Sequence, residues 1–317
     1  MMNEYTRSDL ACESAGIGLG EKLPEEVYRE ETIGTFTVSR LAIRDEAYEA
    51  ILGKPQGNYV TLVCGKIWLM GCDEMNALVA LLAREIRDMC VSVTGKQVDR
   101  SFRVLVAGLG NSDITPDAIG PFSVRRLNVT RHLRGVDEAL YDTVGRCEIS
   151  AVFPGVLGQT GIETVEMIRG AVENAKPDMV LAVDALAARS CERLAATVQL
   201  SDNGISPGSG IGNERKAICR NTVGVPVVAL GVPTVVNSST LVYDALRRAG
   251  IDEISGALRE VLENGRSFFV SPKESDTIVE RISAMIADAV DMAFTVQNGK
   301  LSSSPFLENT PKREKVF

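Results

Sequence analysis

Apolar positions along the chain follow two rhythms. Thr35–Arg40 (TFTVSR) and Tyr59–Gly65 (YVTLVCG) are short runs, the first with alternating apolar residues, and both predict strands. Between Met75 and Val91, Leu78, Leu82, Ile86 and Met89 recur at three- and four-residue spacing and predict a helix with one apolar face. From Phe102, FRVLVAGLGN is apolar without alternation and closes on glycines, as suits a strand buried on both faces of a largely parallel sheet. EISAVFPGV from Glu148, MVLAVDAL from Met179 and VPVVALGVP from Val225 continue the series. Thr160 and Glu163 predict a capping box for a helix to about Ala175, stopped by Lys176-Pro177. Ser271-Pro272-Lys273-Glu274 predicts the opening of a last helix, with Ile278, Ile282, Met285, Ala289 and Met292 inside and Asn298-Gly299 as its end. Strand alternating with helix predicts an α/β fold with a doubly wound sheet.

The ends differ from this centre. Residues 1 to about 30 are polar with few periodic apolar positions and read as an extended arm that can be clipped; LSSSPFLENTPKREKVF at 301–317 reads as a loose tail. One domain with these appendages is expected from 317 residues, of which 45% are apolar and 24% charged. The formal charge of −8 argues against nonspecific binding to nucleic acid or to an anionic membrane. The N-terminus has no apolar signal core and no run nears a membrane span, so a cytoplasmic location is expected. The seven cysteines (Cys12, Cys64, Cys72, Cys90, Cys147, Cys191 and Cys219) are widely and irregularly spaced, which suits reduced, mostly buried thiols.

The chemistry open to the chain is narrow. His132 is the single histidine, there is no HExxH or CxxC, and no GxSxG elbow precedes a helix. The zinc sets and the Ser/Cys–His arrangements therefore lack their partners, no metal is expected, and His132 reads as a surface or helix-end residue. In GLGNSDITPDAIGP (108–121), Thr115 is placed to cap and Pro116 to start a helix, so Asp117 falls in its first turn. Asp117 there suits either a helix dipole or catalysis. Asp184 closes the apolar run MVLAV before ALAARS, which can start a helix. Ligands in open α/β sheets bind beyond the carboxyl ends of the strands, so two parallel strands would bring both acids to one edge. Close carboxylates cannot both ionise easily; one keeps a proton while the other polarises water, which suits hydrolysis.

Two glycine-rich stretches leave an alternative open. The first, GLGNSD, lacks the third glycine of a dinucleotide fingerprint; the second, DNGISPGSGIGNERK at 202–216, lacks the Lys-Ser/Thr of a phosphate loop. The second is a candidate substrate flap through Gly208, Gly210 and Gly212. A nucleotide- or cofactor-binding α/β protein is the rival reading, and a cofactor-dependent thermal shift distinguishes it; no cofactor is expected.

Taken together, GLGNSDITPDAIGP, VTRHL, PGVLGQTGIET, AVDALAARS, GSGIGNERK and VPTVV, with a weaker echo in FFVSPKESD, resemble the spore germination protease family, endopeptidases that degrade small acid-soluble spore proteins. The resemblance runs from about Arg103 to Val236. It implies a three-layer α/β/α fold around a mostly parallel mixed sheet, similar to the hydrogenase-maturation endopeptidases, and implies that Asp117 and Asp184 are the catalytic pair of an atypical aspartic peptidase historically called metallo-type. It also implies a homotetrameric zymogen of the forespore or spore core that removes its own propeptide. Substrates of the family are cut between an acid and an apolar residue, in a pattern that SDLACE (8–13) matches, so cleavage is expected between Asp9 and Leu10. The chain then divides into propeptide 1–9, a single peptidase domain 10–297 and a flexible tail 298–317. Ser206 stands where the family carries His, and the stretch from Val236 to Phe268 is shorter than in the longer members.

Overall fold

The computed structural model describes residues 8–17, 23–208, 215–251, 255–265 and 268–296. Among the described residues nine strands form one sheet: β1 Tyr28–Ile33, β2 Phe36–Ile43, β3 Gly57–Val63, β4 Arg103–Gly108, β5 Glu148–Val152, β6 Met179–Ala188, β7 Thr197–Ser201, β8 Val227–Asn237 and β9 Phe269–Val270. Their order is β1-β2-β3-β7-β8-β6-β4-β5, with β9 on β8. The sheet is mixed, as expected. Its parallel part, however, is confined to four neighbours, β8, β6, β4 and β5; every other pairing is antiparallel.

Burial on two faces explains the unbroken apolar runs. On β6, Leu181 and Val183 join the core under the helices Cys72–Thr94, Ile119–Val124 and Ser275–Ala293, while Val180 and Ala182 face Thr164–Ala175 and Arg220–Val223. The helix expected from Met75 to Val91 is longer at both ends: Asp73 and Glu74 suit its positive N-terminus, and Gly95 closes it in the left-handed conformation. Farther along the second face, over β2 and β3, lies the N-terminal segment. Ala11 packs there with Val27, Leu41, Ile43, Leu52 and Tyr59. The arm expected to be extended is thus helical over Ala11–Ile17 and docked.

Two helix starts fall one turn later than expected. Gly161 ends a separate turn, Leu157–Thr160, so the next helix starts at Thr164 with Glu163, not Thr160, as its cap residue. The Ser271–Glu274 stretch precedes its helix, which runs Ser275–Ala293 and stops before Asn298-Gly299. Those two residues, the tail 298–317, and Gly210 and Gly212 of the flap lie outside the described residues. All seven cysteines are free, but only Cys64, Cys90 and Cys147 are buried. Among the described residues no helix is long and apolar enough to cross a membrane.

Candidate active site

Beyond β4 the chain folds back so that Asp117 approaches β6. Thr115–Asp117 is a single 3-10 turn with Ile114, not Thr115, in the cap position; the Thr115 hydroxyl instead donates to Asp276 Oδ1 at 2.9 Å. Two glycines set how close the turn lies. Gly110 has φ +109°, and a Cβ there would stand 2.0 Å from the Asp117 carbonyl; a Cβ on Gly120 would stand 2.2 Å from the Leu109 carbonyl and 2.5 Å from that of Val183. These glycines serve contacts within the protein itself. Asp117, half-buried, accepts from the Asn111 N–H through Oδ2 at 2.7 Å.

Asp184 is 5% exposed and lies within β6 rather than at its end. ALAARS does not start a helix: β8 runs beside it to Asn237 and pairs with Asp184 through Ala188, with a register shift between Leu186 and Ala187. Ladder pairing and burial override the helix propensity of the alanines. The Ala185 N–H donates to Asp184 Oδ1 at 2.9 Å.

Both acids line one cavity of about 1240 Å³, shared with Asp9, Lys54, Gln199, Ser206 and Gly208. Burial pushes the Asp117 carboxyl up to about 6, against the pull of the Asn111 N–H. Asp184 is pushed well above the ordinary aspartate range, first by burial, then by the charge of Asp117 and, after the opposing Ala185 N–H, by Asp9. The charge of Asp117 thus adds to the cost of ionising Asp184. Near neutral pH such a pair holds a proton on one member while the other is a base, the equipment for activating water. Among the described residues no three His, Cys, Asp or Glu side chains gather in a metal-binding group. His132 is exposed on Arg131–Val136 and does not line the cavity.

The N-terminal arm enters this cavity as a peptide. β4 accompanies β6 only to the Gly108↔Val183 pair, and beyond it the arm takes the side of β6 that β4 has left. The Asp9 N–H donates to the Ala187 carbonyl at 2.9 Å, and the Ala187 N–H donates to Asp9 Oδ2 at 2.8 Å. This is edge recognition through main-chain groups. Leu10, fully buried, packs on Leu186, Ala188, Leu194 and Val236. Glu13 accepts from the N–H groups of Arg189 at 2.8 Å and Ser190 at 3.0 Å. Lys54 Nζ donates to the Ser8 carbonyl at 2.7 Å, and its withdrawal from water pushes its ammonium below the ordinary lysine range, against the charges of Asp9 and Glu13.

Lys54 and Gln199 have no motif in the sequence. The one trace of Gln199 is TVQLS itself, where Thr197, Gln199 and Ser201 put polar groups on alternate positions of a buried strand. The flap's described ends meet: Ile205 and Ile218 form an isolated bridge, and the Arg215 N–H donates to the Pro207 carbonyl at 3.1 Å.

A family model described as germination protease matches residues 20–249, a span that holds Asp117, Asp184 and Gln199. The chain is 36% identical over 310 residues to the germination protease of Caldanaerobacter subterraneus subsp. tengcongensis, covering 90% of this chain and 93% of that one. It is 43% identical over 251 residues to the germination protease of Oceanobacillus iheyensis, covering 76% of this chain and 66% of that one. Among solved structures it is similar to the NiFe hydrogenase maturation protease HycI of Thermococcus kodakarensis, at 17% identity and a TM-score of 0.32, covering 59% of this chain and 92% of that one.

Proposed function

This chain belongs to the germination protease family and is a peptidase, and on that premise we propose that it is an endopeptidase that starts the degradation of small acid-soluble spore proteins during germination, made as a self-processing zymogen in which Asp117 and Asp184 activate water. The observation that carries this reading is the position of the arm: Asp9 lines the same cavity as the two carboxyls, with the Asp9–Leu10 bond held at both of its residues. An acid followed by a buried apolar residue is the pattern the resemblance implies for substrates. Asp9, on Ala187, and Leu10, in its apolar pocket, occupy those two places.

The chemistry follows from the carboxyl pair. The ionised member takes a proton from water as its oxygen adds to the Asp9 carbonyl carbon. The protonated member then supplies a proton to the leaving nitrogen of Leu10. Before cleavage the arm lines the cavity that holds the two carboxyls, which supports a zymogen that is inactive toward other substrates. The same reading places the protein in the forespore or spore core, working as a homotetramer.

The test is to purify the full chain, allow it to convert, and sequence the new N-terminus. The product is then incubated with a small acid-soluble spore protein, with and without a chelator. The reading expects a chain starting at Leu10 and chelator-insensitive cutting between an acid and an apolar residue. A different start, or an intact spore protein, overturns it.

A further inference from the structure

Gln199 lies on β7, 7% exposed, with its side chain on the face where the arm is docked. Its amide spends its two ends on the arm. Nε2 donates to the carbonyl oxygen of Asp9 at 3.0 Å, and Oε1 accepts from the Ala11 N–H at 2.6 Å. The orientation of the amide is fixed by its partners, because a carbonyl oxygen only accepts and a main-chain N–H only donates. The contacted carbonyl belongs to the Asp9–Leu10 bond itself, and the contacted N–H belongs to the residue just beyond Leu10. Gln199 therefore spans the bond, with one hydrogen bond on each side of Leu10.

Three further features point the same way. Gln199 and Asp184 are both register partners of Gly231, so they occupy one row across adjacent strands and face the same side of the sheet. At two strand spacings, roughly 10 Å separates their backbones, room for a peptide bond between the side chains. A buried amide without partners is costly, and the arm is what supplies partners here. The Leu10 N–H, on the leaving side, donates to Ser8 Oγ at 3.0 Å, so both ends of the peptide bond are oriented.

Resting on the proposed self-cleavage, we propose that Gln199 is a catalytic residue: its Nε2–H binds the carbonyl oxygen of the bond to be cut and stabilises the negative charge that collects there. Water adds through its oxygen to the Asp9 carbonyl carbon, and one water proton passes to the ionised carboxylate. The carbonyl π pair moves onto the oxygen held by Gln199. When the intermediate collapses, that pair re-forms the C=O bond and the C–N bond breaks. The electron pair left on the Leu10 nitrogen takes a proton from the protonated carboxyl. The products are a carboxyl at Asp9 and an amine at Leu10, with no other reactant. Because Oε1 simultaneously holds the Ala11 N–H, the same side chain sets which bond stands in front of the acids. A spore-protein substrate is expected to use the same two hydrogen bonds.

The experiment measures first-order self-cleavage of the full chain for wild type, Gln199→Glu, Gln199→Met and, as a folded inactive control, Asp184→Asn. Glu keeps the acceptor for the Ala11 N–H and, in its ionised form, removes the donor; Met removes both. Arm docking is measured separately, as hydrogen-exchange protection at Ala11. Removing one such donor costs about 10²–10³ in rate. Both variants, shown to be folded by circular dichroism, are expected to form the Leu10 terminus about 10²–10³ more slowly, with the loss in Gln199→Glu exceeding any loss of docked arm at least tenfold. A wild-type rate in either variant, or a slowing in Gln199→Glu matched by undocking, overturns the role of Gln199 and leaves the aspartate reading standing. Failure of the wild type to form the Leu10 terminus overturns both.

Discussion

Asp184 on β6 and Gln199 on β7 are each the register partner of Gly231 on the intervening strand β8. Asp9 joins the outer two strands, with its N–H and carboxylate on Ala187 and its carbonyl on Gln199. An acidic side chain is thus held by main chain three residues beyond an acid of the candidate dyad, so the arm contact and that candidate acid share one strand.

The Ala187 N–H contact gives the acid before the cleaved bond a measurable value. A hydrogen bond to a charged group contributes about 1.5–3 kcal/mol, which is about a tenfold to hundredfold effect. Asp9→Ala is expected to slow formation of the Leu10 terminus by that factor while the melting temperature of the body stays put. Mass spectrometry of the full chain over time checks it; an unchanged rate contradicts the contact's role.

The close approach at Gly110 makes the position of Asp117 fragile. A methyl at residue 110 would meet the Asp117 carbonyl at 2.0 Å in a backbone with φ +109°. Gly110→Ala is expected to lose about 2 kcal/mol or more of stability, because both strain and clash apply. Displacing a reacting group by about 1 Å costs about 10²-fold in rate, so peptidase activity at a temperature where the variant is folded is expected to fall at least that far. Activity within a few-fold of wild type contradicts this placement.

How much of this could be read from the sequence depends on what holds each element. β6 and β8 were legible because burial on both faces leaves a continuous apolar run. The position of Asp184 inside its strand was not, since Ala185–Ala188 is written in helix-favouring residues and only pairing with β8 makes it extended. β1, YREETI, was missed because it is a charged edge strand, mostly exposed and paired on one side with β2 alone. Both helix starts were displaced because a local capping pattern competes with turns such as Leu157–Thr160 that only the fold selects. Asp117 and Asp184 could be named as a pair because each follows an apolar run that forms a parallel strand, Arg103–Gly108 and the first half of Met179–Ala188. Gln199 could not, because its hydrogen-bond partners come from residues 9 and 11, far away in the chain.

The raised carboxyls predict a pH dependence of stability with a definite sign. Asp117 titrates near 6 in the folded chain, above its unfolded value near 3.8, so it binds its proton more tightly when folded. Its contribution is fully present below the unfolded value and is lost as the pH rises through about 6. Asp117→Asn cannot ionise and escapes that loss. Its stability relative to wild type is expected to grow by about 1–3 kcal/mol between pH 4 and pH 7.5, and Asp184→Asn is expected to move the same way. Thermal melts across that range check it, and a difference that stays flat or shrinks contradicts the buried pair.

The measurement that bears most directly on the carboxyl pair is turnover of a small acid-soluble spore protein by wild type, Asp117→Asn, Asp184→Asn and the double variant, each folded by circular dichroism. Residues that act as one unit are strongly non-additive. Each single variant is predicted to lose about 10³-fold or more in kcat, and the double variant to lose no more than the worse single one. Activity within tenfold of wild type in either single variant would contradict the assignment of water activation to Asp117 and Asp184.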